Sequence, residues 1–175
     1  MEYKLYLIDI YMPADSLDKL KTIPIWLELE DKAVPYIAYH RSKKNLKAKG
    51  LNPDKLNAIE IGSSRNFERW QEFQKYVLLR YMAYAYYDKY LQEQKPLIDS
   101  AYIKTLKGGK YTSVLRFDGK KVRHPALNDA KEYFARMTES YYGLSDHYPF
   151  IQFELHQYDP NACDLLTKLW GGKAK

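Results

Sequence analysis

The run Val77-Leu78-Leu79-Arg80-Tyr81-Met82-Ala83-Tyr84-Ala85-Tyr86-Tyr87-Asp88 constrains the fold more than any other stretch of the chain. It is an apolar, tyrosine-rich segment free of proline and glycine, and only Arg80 interrupts it before Asp88. Upstream, Phe67, Trp70, Phe73, Val77 and Tyr81 recur at three-to-four spacing, the period of a helix with one apolar face. The spacing predicts one long helix from Asn66 to about Gln94, around which the remaining elements must pack.

Those elements read as short strands and further helices. Ile23 to Glu30 alternates apolar with polar residues and is predicted to be a strand, with Pro24 at its start or on an edge. Tyr36 to His40 and Ala58 to Ile61 are further short strands. Lys43 to Lys49 reads as a helix stopped by Gly50 and Pro53. Ser16 is expected to cap a short helix through Lys19-Leu20. Leu97 to Leu106 is a helix, and Tyr111 to Phe117 with Lys120 to Arg123 reads as a hairpin across Asp118-Gly119, a compact loop being the alternative. Asp129 to Tyr142 is a helix with Phe134, Met137 and Tyr141 on one face, ended by Gly143. Phe150 to His156 and Asp159 to Leu169 are two last short helices, the second with Asp159 as cap and Pro160 at its first position. Residues 2–11 alternate loosely, and on pattern alone they read as a strand. No repeat, linker or low-complexity tract divides the chain, so residues 1–175 are expected to form one α+β domain, a small sheet packed against helices.

At 175 residues a chain can bury roughly 70% of its unfolded surface without staples. Its single cysteine, Cys163, excludes an internal disulfide. No apolar run approaches the roughly 20 residues of a membrane span, and Met1-Glu2-Tyr3-Lys4 does not open a signal peptide. The net charge of +6 is moderately basic. Basic residues gather at Arg41 to Lys49 and Lys120 to His124, where solvated loops and helix faces account for them. A nucleic-acid surface interleaves basic residues with free aromatics, but many of the 18 tyrosines pattern as core, among them Tyr84, Tyr86, Tyr87 and Tyr90. A nucleic-acid partner is therefore not expected.

The order of several short motifs resembles a family. Ile23-Pro24-Ile25-Trp26-Leu27-Glu28, Ala38-Tyr39-His40, Gly50-Leu51-Asn52-Pro53, Ile59-Glu60-Ile61 and Asn66-Phe67 are followed by Asp118-Gly119, Arg123-His124, Lys131-Glu132-Tyr133-Phe134-Ala135, Thr138 to Gly143, Asp146 to Phe150, Glu154-Leu155, Asp159-Pro160 and Leu165 to Gly171. Together, from about Met12 to Gly171, they resemble bacterial zinc-metallopeptidase-like domains of the gluzincin type, related to the catalytic domain of anthrax toxin lethal factor. The resemblance implies a zincin-like pair of core helices, with the long helix carrying H-E-x-x-H. In that motif two histidines bind Zn²⁺ and the glutamate polarises the attacking water. It also implies a chain short at its start, with residues 2–11 as the end of a helix.

The departures fall on the chemistry. Arg80, Tyr81 and Tyr84 stand where His, Glu and His would stand. The resemblance makes Glu132 the surviving zinc-ligand position. Pro125 stands at the place of an oxyanion-stabilising tyrosine, and Arg136 at that of a further carboxylate. It therefore implies a domain without zinc or other cofactor and without catalysis, a pseudopeptidase whose old cleft takes a protein or peptide. A hydrolase with another site and a basic nucleic-acid binder are the alternatives. His40, His124, His147 and His156 form no i, i+3 or i, i+4 pair, so no metal site is rebuilt from them, and no G-x-S-x-G or phosphate loop is present. Glu139 and Glu154 are expected on solvated or salt-bridged helix faces. If Glu132 points inward it needs a partner, and Arg80 is expected to pair with it, with Tyr84 alongside. Arg136 is the competing partner, in an exposed pair.

Overall fold

A computed structural model describes residues 2–70 and 72–172. The chain is α+β. The elements in order are α1 (Glu2–Tyr11), α2 (Ala14–Leu20), β1 (Ile25–Leu27), β2 (Ile37–Tyr39), α3 (Lys43–Ala48), β3 (Ile59–Ile61), α4 (Ser64–Trp70), α5 (Val77–Tyr90), α6 (Lys95–Lys107), β4 (Val114–Leu115), β5 (Lys121–Val122), α7 (Ala130–Tyr142), α8 (Gln152–Tyr158) and α9 (Pro160–Trp170). One-turn 3₁₀ helices occupy Pro53–Lys55 and Pro125–Leu127.

Local chemistry sets several boundaries. Ser42 caps α3 by accepting from the Asn45 N–H, and Asp129 caps α7 by accepting from the Glu132 N–H, as short polar side chains do at helix starts. Gly143 ends α7 because a Cβ there would lie 2.5 Å from the Tyr76 ring. Gly119 turns the β4–β5 hairpin at φ +81°, where a Cβ would be strained. Asp159 does sit at the start of α9 but does not cap it. Its carboxylate turns inward and accepts from the Tyr111 and Tyr133 hydroxyls.

The first sheet has the order β1-β3-β2, with β1 parallel and β2 antiparallel to β3. Ile59 and Ile61 of β3 join the main core. Glu60 between them points to the opposite face, by strand alternation, and is also fully buried. On the other side of the core, α5 and α7 lie against each other. Trp170 at the end of α9 stacks on Tyr86 of α5 at 4.1 Å and on Phe134 of α7 at 5.6 Å. Its Nε1 donates to Thr138. Truncating a fully buried aromatic of this kind costs about 3–5 kcal/mol. One core cluster runs from Ile8 to Trp170.

The structure corrects three readings. Residues 2–11 are helical, the alternative the resemblance implied, and not the strand read from pattern alone. Ile8 is the residue buried there, with Met12 buried one helical turn on, while Tyr3, Leu5 and Tyr11 of the apparent alternation are exposed. The expected single helix from Asn66 to Gln94 is two helices, α4 and α5, with a non-helical stretch ahead of Val77. Phe73, which completed the helical spacing, is 56% exposed. Ser16 does not cap α2. It lies inside the helix, buried, and donates to the Trp170 carbonyl.

Candidate functional site

The break between α4 and α5 shapes the site. It returns Gln74 over the first turn of α5, where its Oε1 accepts from both Arg80 Nη2 (3.0 Å) and the Tyr36 hydroxyl. Arg80 is 3% exposed. Its Nη1 lies 3.4 Å from Glu139 Oε2 and 3.8 Å from Asp146 Oδ1. These are ion-pair distances, yet neither is an aligned hydrogen bond, and Nη1 has no hydrogen-bond partner in the protein. Burial opposes the Arg80 charge, but the Glu139 and Asp146 carboxylates more than offset it, so its pKa lies above the ordinary arginine value.

Asp146, just after α7, is the hub. Its Oδ1 accepts from Arg136 Nη1 at 2.8 Å and lies 2.7 Å from His147 Nδ1. Burial would raise its pKa, but the His147 hydrogen bond and the Arg80 and Arg136 charges hold it well below the usual carboxylate range. Glu139 is the opposite case. It is wholly enclosed, neither carboxylate oxygen has a hydrogen-bond partner, and burial pushes its pKa up to about 7 against the pull of Arg80 and Arg136. Beside the cluster lies the buried His124, its ring 5.1 Å from that of His147. Its Nδ1 accepts from the Ala126 N–H, which leaves the proton on Nε2, itself without a partner. Burial first, then the neighbouring His147 and Arg136, hold its pKa well below the ordinary imidazole value.

The cluster reaches the surface through Glu132. Tyr84 donates to Glu132 Oε2 at 2.5 Å, and Arg136 Nε donates to Oε1 at 2.8 Å. Burial and the Glu132 charge both raise the Tyr84 pKa, so its hydroxyl keeps its proton. Tyr81 packs edge-to-face on Tyr84 at 5.2 Å. Tyr81, Tyr84 and Glu132, with Tyr39, Arg41, Asp129 and Lys131, line an open cleft of about 270 Å³. Pro125 begins the 3₁₀ turn that packs against α7.

The five residues singled out in the sequence therefore separate. Tyr81, Tyr84 and Glu132 share the cleft, Arg80 lies buried beneath it, and Pro125 sits in a supporting turn. The expected Arg80–Glu132 pair does not form. Among the described residues Arg80 pairs with Glu139 and Asp146, while Glu132 takes Arg136 and Tyr84. The Glu132–Arg136 pair is not the exposed one expected, since its side chains are 19% and 12% exposed. Glu139 is not solvated but takes the other half of the expectation, lying at ion-pair distance from Arg80. Sequence reasoning missed Glu139, Asp146 and Gln74 as members of the site. Glu132, Arg136 and Glu139 do recur at i, i+4 and i+7, a charged stripe along one face of α7.

The arrangement does not suit a zinc ion. The Arg80 guanidinium carries a fixed positive charge, and the Tyr84 phenol is occupied as a donor to Glu132. Among the described residues no three His, Cys, Asp or Glu side chains gather as metal ligands, and no helix is long and apolar enough to cross a membrane. Comparison of the chain with family models, with curated proteins and with solved structures finds no match.

Proposed function

We propose that the chain is a metallopeptidase-like domain that has exchanged its zinc chemistry for a buried ion cluster and binds a peptide or protein segment in the cleft between α5, α7 and the end of β2. The observation that carries this reading is Arg80. It occupies the first ligand position implied by the motif resemblance, and its guanidinium is buried between α5 and the carboxylates of Glu139 and Asp146. A fixed cation there ties the long helix to α7, as a metal held by both helices would. Tyr81 replaces the carboxylate that would act as base, and Tyr84 is committed to Glu132. A general acid of pKa about 7 is available in Glu139, but a wholly enclosed side chain meets no substrate, so hydrolysis through it is the weaker reading.

Metal content and peptidase activity test the proposal. Protein purified without chelator should hold far less than one equivalent of zinc, and it should not cleave a mixed peptide library above background. A tightly held zinc contacting Glu132, or proteolysis abolished by a chelator, would refute it.

A further inference from the structure

The cleft is one half of a longer trough. A second hollow of about 450 Å³, lined by Asn57, Asp88, Lys89, Gln92 and Lys95, shares Tyr39 and Arg41 with it. Tyr39 ends β2, which is an edge strand, and Arg41 follows two residues later. Gly62 N–H donates to the Tyr36 carbonyl and His40 N–H to the Ala58 carbonyl. In an antiparallel ladder hydrogen-bonded residues alternate, so Tyr36, Ala38 and His40 face β3. The N–H and C=O of Ile37 and Tyr39 point the other way, and no hydrogen bond to them occurs among the described residues. An edge with unmatched backbone groups is a template for an added strand.

The charges along the trough are unequally matched. Asp88 is paired with Lys131, and Glu132 with Arg136. Asp129 caps α7. Arg41, Lys89 and Lys95 have no carboxylate within ion-pair distance among the described residues. Lys89 donates only to Thr22 and Lys95 only to Gln92. The tyrosines do not offer a stacking platform for bases, because Lys131 Nζ sits over the rings of Tyr39, Tyr84 and Tyr87 at 5.0, 5.6 and 6.0 Å. Free ring faces are what single-stranded nucleic acid requires.

We infer that the trough takes an extended acidic peptide, added alongside the free edge of β2 with its carboxylates on Arg41, Lys89 and Lys95. This rests on the reading of the cleft as a peptide site and names the chemistry of its occupant. Alternate side chains of an extended peptide project to one side, so acidic residues at every second position present their carboxylates together.

Three labelled peptides of about eight residues, alternating Val with Glu, Ser or Lys, test this by fluorescence anisotropy on the full chain. The Glu peptide should bind about tenfold tighter than the Ser peptide, a difference of about 1.4 kcal/mol, and the Lys peptide weakest. Added salt should reduce the difference. Arg41 is exposed, so Arg41→Glu should leave the melting temperature unchanged and remove most of the preference. N-methylation of alternate peptide amides should abolish binding, because it removes the strand hydrogen bonds. Acidic binding indifferent to Arg41→Glu or to N-methylation overturns the inference, as does tighter binding of a single-stranded oligonucleotide. Equal binding of all three peptides overturns the acidic assignment and leaves the peptide cleft standing. Binding of none overturns the inference, while zinc content and hydrolysis judge the pseudopeptidase reading separately.

Discussion

Two buried ion clusters, one on the outer face of the sheet and one between α5 and α7, are built to different standards. On the outer face of the sheet, Lys55 Nζ lies 2.6 Å from Glu60, 2.8 Å from Glu28 and 3.7 Å from Asp31. His40 Nε2 meets the other Glu60 oxygen at 2.6 Å. Every buried side-chain nitrogen and oxygen of that cluster has a hydrogen-bond partner. In the α5–α7 cluster, Arg80 Nη1 and both Glu139 oxygens have none, and the only other such atom among the described residues is Nε2 of the adjacent His124. A completed polar network fixes one arrangement, whereas a half-completed one costs stability. Proteins keep such costs chiefly at functional sites. The contrast marks the sheet cluster as structural and the helix cluster as the candidate functional site.

The largest effect should come from treating the two clusters alike. Lys55→Met strands the buried Glu60 carboxylate and is expected to cost about 3–5 kcal/mol in urea unfolding, as does Arg80→Met. The clusters part company when both members of a pair are replaced. Arg80→Met with Glu139→Leu should be neutral or more stable than wild type by about 1–4 kcal/mol, because the pair it removes is poorly matched and Gln74 Oε1, which loses Arg80, keeps the Tyr36 hydroxyl. Asp146 keeps Arg136 and His147 in that variant. Lys55→Met with Glu60→Leu should remain destabilised, since Glu28, Asp31 and His40 lose good partners. If the two double variants behave alike, the distinction between the clusters fails.

A smaller effect is pH dependence confined to the helix cluster. Glu139 titrates near 7 when folded and near 4.3 when unfolded, so the folded state binds more protons between those values. Its favourable contribution is fully present below about pH 4 and is lost as pH rises through 7. Asp146 has the opposite sign. Its folded pKa is depressed, so its contribution is present above the unfolded value of about 3.9 and is lost as pH falls below it. The windows therefore do not overlap. Stability should fall by about 1–3 kcal/mol between pH 5 and 8, at about 1.4 kcal/mol per pKa unit. Glu139→Gln should flatten that slope and leave the acid limb intact. A slope unchanged in Glu139→Gln would place the titrating group elsewhere.

The sequence was legible where local chemistry decides. Gly50 after α3, Asp129 and Gly143 around α7, and Asp118-Gly119 in the hairpin each announce a boundary that the structure contains. It was opaque where tertiary contacts decide. The stretch Gln71-Glu72-Phe73-Gln74-Lys75 is made of residues that tolerate a helix, and nothing local signals that Gln74 turns back to Tyr36 and Arg80. The site was legible to the same degree. Glu132 and Tyr84 meet as expected because both lie where the helices approach. The partner of Arg80 was misread because α7 offers Glu132 and Glu139 about 10 Å apart at 1.5 Å rise per residue. The register between two packed helices, which selects one of them, is not written in either helix alone.

The smallest effect should lie where the helix cluster opens onto the cleft. Tyr84 donates to Glu132, and a hydrogen bond to a charged acceptor contributes about 1.5–3 kcal/mol when buried. Glu132 is 19% exposed and keeps Arg136, so water can take the place of the hydroxyl. Tyr84→Phe is therefore expected to cost about 1 kcal/mol, well below Arg80→Met. Placing the same substitution in an Arg136→Met background removes the second partner and should raise its cost. In the Glu139→Gln background the cost should stay as in wild type, because Glu139 does not bond to Tyr84. A cost in Tyr84→Phe as large as that of Arg80→Met would mean that Glu132 is sealed from solvent. The cleft would then not continue into the cluster, and the boundary between buried ion pairs and binding surface would have to be redrawn at Tyr39 and Arg41.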